Sequence, residues 1–317
     1  MLKFGGIIMI ITVTLNPAQD KSVVIDNFGF DKVNRITEMR LDAGGKGINV
    51  SKVVKSLGGE TLALGVLGGT IGGYIMHSMD EMNIRHDFVH VASETRTNLK
   101  IYDPTTKMYT DINEPGFELP AERLDEVETK LFYYAKPGDY VVFAGGAPSG
   151  VPNDTLYKWT KKLKARNVSV IADLDGELLK NTVAARPFMI KPNLAELMRL
   201  CGLRDTSIYT LVDVAKKLVA EGIRTVVVSL GSDGALFVNA NEALYAKSPR
   251  AEAISTVGAG DAMTAALVYS LSCNHRWRDA IVLAMATATA KVMCEGNTPP
   301  QLEKVKQYMS QITIESC

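Results

Sequence analysis

Runs of apolar residues of strand length alternate with helix-period segments along most of the chain, and this alternation limits the fold more than any other feature. Ile8–Leu15, Thr61–Leu67, Tyr140–Ala144, Ser169–Ala172, Phe188–Lys191 and Thr225–Ser229 read as strands. In the segment 48–57 between the first two, Val50, Val53, Val54 and Leu57 recur at i, i+3, i+4 and i+7, which is one helix face. A Thr-x-x-Asp start at Thr210 and Asp213 precedes Val214, Leu218 and Val219 and reads as a capping-box variant opening another helix. Strands apolar on both faces and separated by helices imply a parallel sheet covered on both sides.

Two stretches break the pattern. Lys21–Arg40 and Arg96–Asn113 carry short pieces in which Val23/Ile25 and Leu99/Ile101 alternate with polar residues. Such period-2 pieces read as half-buried antiparallel strands. Two insertions of this kind predict a small lid sheet over the main one, formed by about residues 20–41 and 95–113 of a single domain spanning 9–317. One lid face then needs a cover, either substrate or a second subunit.

Composition excludes several classes. Lys+Arg 35 balance Asp+Glu 35, giving net charge +0 with no basic block, so nucleic acid is not an expected partner. Cys201, Cys273, Cys294 and Cys317 form no CxxC pair and the four histidines lack metal-ligand spacing, which suits free thiols in a reducing cytoplasm. The apolar run Ile7–Thr14 is too short for a bilayer and leads into Asn16-Pro17 without a cleavage pattern. No signal peptide or membrane partner is expected, and Met9 offers an alternative start that would make the residues before it dispensable.

Three segments carry chemistry. In Ser255-Thr256-Val257-Gly258-Ala259-Gly260-Asp261 a glycine turn opens a helix. Its unpaired amides and helix-end charge suit a phosphate or an anionic transition state. Asp261 is placed to take the proton of an attacking hydroxyl; the same residues would also make an N-cap with no chemistry. In Asp42-Ala43-Gly44-Gly45-Lys46-Gly47-Ile48-Asn49 the Walker spacing is absent. Here glycine admits a ligand close to the backbone, Lys46 supplies a cation and Asn49 an amide. Asp20, beyond the end of the first strand, is placed to accept sugar hydroxyls. In Lys191-Pro192-Asn193-Leu194-Ala195-Glu196, Asn193 and Glu196 stand three apart at a helix start. They could order the waters of Mg²⁺, or form only a capping box.

Together and in this order, TLNPAQD (14–20), LDAGGKGINVS (41–51), ETRTNLKI (94–101), NEPG (113–116), KPNLAEL (191–197), VVVSLGSDGAL (226–236) and STVGAGDAM (255–263) resemble the ribokinase-like (PfkB) carbohydrate kinase family, in its hexose-phosphate kinase branch. The resemblance runs from about residue 10 to about residue 312. It implies a ribokinase-like three-layer α/β/α sandwich with a mostly parallel central sheet, and a β-lid through which a homodimer forms. It implies ATP and Mg²⁺, and leaves room for a monovalent cation. By that resemblance Asp261 is the base, and Gly258, Ala259 and Gly260 form the anion hole. Lys191, Asn193 and Glu196 serve magnesium and phosphates, while Ser229, Gly231 and Val257 lie by the nucleotide. Asp20, Gly45 and Asn49 bind the acceptor, and Arg96 with Lys46 holds the acceptor's existing phosphate.

The implied reaction converts a ketohexose monophosphate to the bisphosphate. Fructose 1-phosphate stands ahead of tagatose 6-phosphate and fructose 6-phosphate as acceptor, and a non-catalytic sugar-phosphate sensor is the alternative of another class. Ala144-Gly145-Gly146-Ala147-Pro148-Ser149-Gly150 departs from the branch's Ser-Gly-Ser-Leu-Pro-Pro-Gly, and Leu174-Asp175-Gly176 replaces its Thr/Ser-Ser-Gly. These departures bear on the identity of the sugar.

Overall fold

The computed structural model describes residues 8–317. The Met1–Gly6 start and Ile7 lie outside the described residues. The first strand, β1 (Ile10–Thr14), is buried along its whole length, as its unbroken apolar pattern requires. It is followed by β2 (Ala18–Val24), β3 (Glu38–Gly44), α1 (Lys46–Ser56), β4 (Thr61–Gly68), α2 (Gly69–Glu81), β5 (Arg85–His86), β6 (Val89–Val91), β7 (Arg96–Asp103) and β8 (Met108–Asn113). Then come α3 (Ala121–Tyr134), β9 (Tyr140–Ala144), α4 (Thr155–Ala165), β10 (Ser169–Asp173), α5 (Gly176–Ala184), β11 (Met189–Ile190), α6 (Leu194–Cys201), α7 (Ile208–Ala220) and β12 (Thr225–Ser229). The chain closes with β13 (Ala235–Asn239), β14 (Ala243–Lys247), α8 (Ala259–Ser272), α9 (Trp277–Val292), α10 (Leu302–Met309) and β15 (Thr313–Ser316).

The main sheet runs β15-β14-β13-β12-β11-β10-β9-β1-β4-β5, with β6 also on β4. From β12 to β5 the pairings are parallel; β13, β14 and β15 extend one edge antiparallel. β13 and β14 follow β12 through short turns with no intervening helix, so the alternation of strands and helices does not reveal them; β15 joins this edge only after α8, α9 and α10. Side-chain alternation divides the core. Ile11, Val13, Val141 and Phe143 pack toward α3–α7, whereas Ile10, Val142 and Ala144 pack toward α1, α8 and α9. The helix around Thr210 starts earlier than its capping-box pattern suggests. Ser207 is the N-cap and accepts from the Thr210 amide, so Thr210 occupies the third helical position.

The four-stranded lid sheet has the order β3-β2-β7-β8. Register puts Met39, Val23, Ile101 and Thr110 in one row and Leu41, Lys21, Leu99 and Ile112 in the next, giving a largely apolar outer face. Asp20, Asn98, Lys100, Asp111 and Asn113 occupy the opposite, polar face. Met39 and Ile112 are 57% and 52% exposed on the outer side. The polar face therefore turns toward the main sheet and the apolar face turns outward.

Candidate active site

The parallel strands end on one rim, where ligands of open α/β sheets bind. Asp173 closes β10, Lys191 follows β11 and Ser229 closes β12. The N-termini of α1 and α8 point at the same place, and the lid's polar face covers it. The result is a cavity of about 450 Å³ lined by thirteen of the fifteen residues anticipated from sequence. On the lid side these are Asp20, Gly45, Lys46, Asn49 and Arg96; on the sheet side Lys191, Asn193, Glu196, Ser229, Val257, Gly258, Gly260 and Asp261. Ala259 and Gly231 do not line it. The Ala259 amide turns back to Thr256 O at 3.4 Å, and Gly231 begins a short 3₁₀ turn after β12.

Two glycines shape the helix starts. Gly258 takes a left-handed conformation (φ 76°) as N-cap of α8, and the first helical bond runs from the Ala262 amide to its carbonyl. Gly45 (φ 120°) precedes α1, and a Cβ there would stand 2.9 Å from Thr14 Cγ2 and 3.2 Å from Pro17 Cα. Glycine is thus required for the first strand's end to lie against the helix start.

Asp261 sits in the first turn of α8 and is 6% exposed. Asn49 Nδ2 donates to its Oδ2 at 2.8 Å, joining the two helix N-termini. Burial pushes the Asp261 carboxyl up to about 6, with the nearby Asp173 charge adding to the rise and Asn49, Lys46 and Lys191 opposing it. Asp173 behaves oppositely. It is 2% exposed, and burial alone would raise its carboxyl. Lys191 Nζ at 3.1 Å, Lys46 Nζ at 3.6 Å and a 2.7 Å bond from Thr264 Oγ1 outweigh that and hold it below the ordinary range. One carboxylate is thus locked as an anion while its neighbour is poised to take up a proton, the division of labour expected around a general base.

Lys46, expected beside the acceptor's phosphate, lines the cavity with its ammonium 3.6 Å from Asp173, and despite burial the charges of Asp173, Asp261, Glu196 and Asp175 raise its pKa. Arg96 has a different environment. Its Nη1 donates to Glu114 O at 2.8 Å and Nη2 to Asn16 O at 3.3 Å, so the NEPG and TLNP loops orient it. No carboxylate forms an ion pair with it among the described residues, which leaves its charge for a ligand. Asp20 receives Asn98 Nδ2 at 3.0 Å, Lys100 Nζ at 3.0 Å and a bond from Asn297 Nδ2.

Asn193 and Glu196 form a complete capping box, with the Glu196 amide on Asn193 Oδ1 at 2.9 Å and the Asn193 amide on Glu196 Oε2 at 2.8 Å. The capping-box reading holds, and the cap fixes two side chains that line the cavity. No cluster of three or more His, Cys, Asp or Glu able to hold a metal exists among the described residues. The oxygen donors of Glu196 and Asn193 would suit Mg²⁺, a hard cation that keeps much of its water.

The cavity also contains residues not anticipated. Asp173, as a carboxylate at the carboxyl end of a buried strand, obeys the same rule that singled out Asp20. Asn98 and Lys100 share the strand parity opposite to Leu99 and Ile101, so the alternation that revealed the lid also assigns them to its polar face. Two altered loops meet beside Lys46: the Gly145 amide donates to Asp173 O at 3.0 Å, and Gly145 Cα faces the Lys46 side chain. No residue of 144–150 lines the cavity.

Known proteins match this arrangement over almost the whole chain. The pfkB family carbohydrate kinase profile matches residues 6–304. A 1-phosphofructokinase of Borreliella burgdorferi is 33% identical over 308 residues, covering 97% of this chain and 98% of that one. A 1-phosphofructokinase of Bacillus subtilis is 36% identical over 288 residues, 90% of this chain and 93% of that one. Phosphofructokinase-2 from Escherichia coli, solved in complex with potassium, superposes with a TM-score of 0.91 at 26% identity, covering 96% of this chain and 99% of that one. With a ribokinase-like fold, a lid sheet and a buried aspartate facing a glycine turn at the helix start, the chain belongs to the pfkB family of carbohydrate kinases and is a sugar-phosphate kinase.

Proposed function

We propose that the protein transfers the γ-phosphoryl group of ATP to the free primary hydroxyl of fructose 1-phosphate, giving the 1,6-bisphosphate. The observation that carries this reading is the pairing of a buried base, Asp261, with Arg96, a fixed cation on the lid side that no carboxylate neutralises. A sugar already bearing phosphate needs such a cation and a neutral sugar does not.

The acceptor lies under the polar face of the lid, its phosphate on Arg96 and its hydroxyls on Asp20 and Asn49. Asp261 takes the proton from the attacking oxygen as that oxygen approaches phosphorus in line. Lys46, standing on Asp173, meets the group in transfer rather than the acceptor's own phosphate. The amides of Gly258 and Gly260 face the negative charge that develops there, while Lys191, Asn193 and Glu196 face the nucleotide phosphates. Mg²⁺, when bound with ATP, supplies charge neutralisation on the phosphates.

ADP release from Mg-ATP should be measured against fructose 1-phosphate, fructose 6-phosphate, tagatose 6-phosphate, fructose and a nucleoside. Turnover is expected with fructose 1-phosphate above the others; preference for another phosphorylated ketose would replace the acceptor and keep the mechanism. Silence with all five, while sugar phosphates still bind, would make the protein a sensor. Arg96→Ala should raise KM for the sugar phosphate about tenfold or more with kcat little changed. An unchanged KM would remove Arg96 from the acceptor site.

The outer lid face supports a homodimer. Met39, Leu41 and Ile112 line an apolar surface continuous with the buried Val23 and Ile101. Sedimentation should find a dimer in the wild type and a monomer after Met39→Glu with Ile112→Glu. A double variant that stays dimeric would place the interface elsewhere.

A further inference from the structure

The end of α9 and the loop after it approach the site from behind. Val292 O accepts from the Ile254 amide at 2.8 Å and the Ser255 amide at 3.0 Å, fastening the chain that leads into the Gly258 turn onto the end of α9. One residue earlier, Lys291 is only 2% exposed. Its Nζ donates to Gly296 O at 2.7 Å, and it makes no ion pair among the described residues. A Cβ added to Gly258 would stand 3.3 Å from Lys291 Cε, 3.9 Å from its Nζ and 3.8 Å from Asp261 Oδ2. The ammonium therefore lies against the left-handed glycine that opens α8 without lining the cavity, which Lys46 and Lys191 do.

A buried ammonium with one hydrogen bond and no carboxylate partner is expensive. Compensating the C-terminal end of its own helix does not account for that cost, because a partly exposed side chain in the last turn does so equally well. We propose that Lys291 is a positioning residue for phosphoryl transfer: a fixed internal cation that holds the Gly258 turn in place and adds positive potential where charge builds beside Asp261. This rests on the role given above to Asp261 and the glycine amides. The groups facing Lys291 are Asp261 on α8, Asp42 on β3, Lys100 on β7, Lys52 on α1 and Cys294 in its own loop. Burial lowers the Lys291 pKa and the two carboxylates work against that fall.

Lys291→Met keeps the volume and removes the charge. It should lower kcat about thirtyfold or more and leave both KM values within about threefold, while Tm stays equal or rises. Lys291→Ala opens a cavity, and methylammonium or potassium should restore its kcat several-fold where tetramethylammonium does not. Should the methionine variant not fold, the alanine variant with and without methylammonium decides. A methionine variant with kcat within about twofold of wild type overturns the proposal. So does a loss of kcat that tracks a lower Tm and responds to no small cation, which would make Lys291 a helix cap only. If Asp261→Asn is also fully active, the reading of the base has failed instead.

Discussion

Asp261→Asn should lower kcat by at least about a hundredfold while ATP and the sugar phosphate still bind. The amide keeps the size of the side chain and its place opposite Asn49, but it cannot take the hydroxyl proton. The wild type should show an acidic limb that the variant lacks. Its carboxyl, raised to about 6 chiefly by burial, must be ionised to act, so kcat falls as pH drops through that region. Steady-state kinetics between pH 5 and 8 read both effects, and turnover near the wild-type level in the variant would falsify the assignment of the base.

The same substitution should make the protein more stable. A carboxyl whose folded pKa lies above its unfolded value favours folding while protonated; that contribution is complete below about pH 4 and is lost as pH rises through about 6. At neutral pH ionised Asp261 therefore opposes folding, by on the order of 3 kcal/mol. Asp261→Asn should unfold later in urea at pH 7.5, with the advantage shrinking toward pH 4. A gain in stability together with a loss of turnover is what a group buried for chemistry predicts. A loss of both would indicate that the carboxylate holds α8 in place.

Much of this site was legible because local rules coincide there. Apolar runs fixed the parallel sheet, and the sheet fixes the rim on which Asp20, Asp173, Lys191 and Ser229 meet. Helix-start glycines located Asp261 and Asn49, the family resemblance marked Arg96, and the period-2 alternation that revealed the lid, read one step further, assigns Asn98 and Lys100. What stayed hidden depends on distances across the fold. One example is the pair of Lys46 and Asp173, more than a hundred residues apart in sequence, whose 3.6 Å contact exists only in the folded chain. Lys291 sits in a helical run with nothing to mark it, since Gly258 meets it only in three dimensions. β13 and β14 escaped because the hairpins that join them to β12 lack the intervening helices that made the other strands recognisable, and β15 is a four-residue, mostly exposed strand behind three helices.

The largest loss of stability should come from Asp173. Its carboxylate sits between Lys191, which is almost fully buried, and Lys46, whose side chain is 34% exposed. Asp173→Asn leaves the Lys191 ammonium unpaired in the interior, at a cost of about 3–5 kcal/mol; Lys46 can turn toward the water of the cavity and contributes less. The sign with pH is the reverse of that for Asp261. Because the folded pKa is depressed, the stabilisation is complete above the ordinary carboxyl value and disappears as pH falls through the lower folded one. The gap between wild type and variant should be flat from pH 5 to 8 and close only in strong acid. Adding Lys191→Met to Asp173→Leu removes both charges and should recover most of the loss in urea unfolding, because the isolated ammonium, more than the missing pair, carries the penalty. The double variant should still turn over slowly, since Lys191 is among the residues proposed to meet the nucleotide phosphates. If it is no more stable than Asp173→Asn, then Asp173 supports the fold through Thr264 on α8 rather than through its lysines.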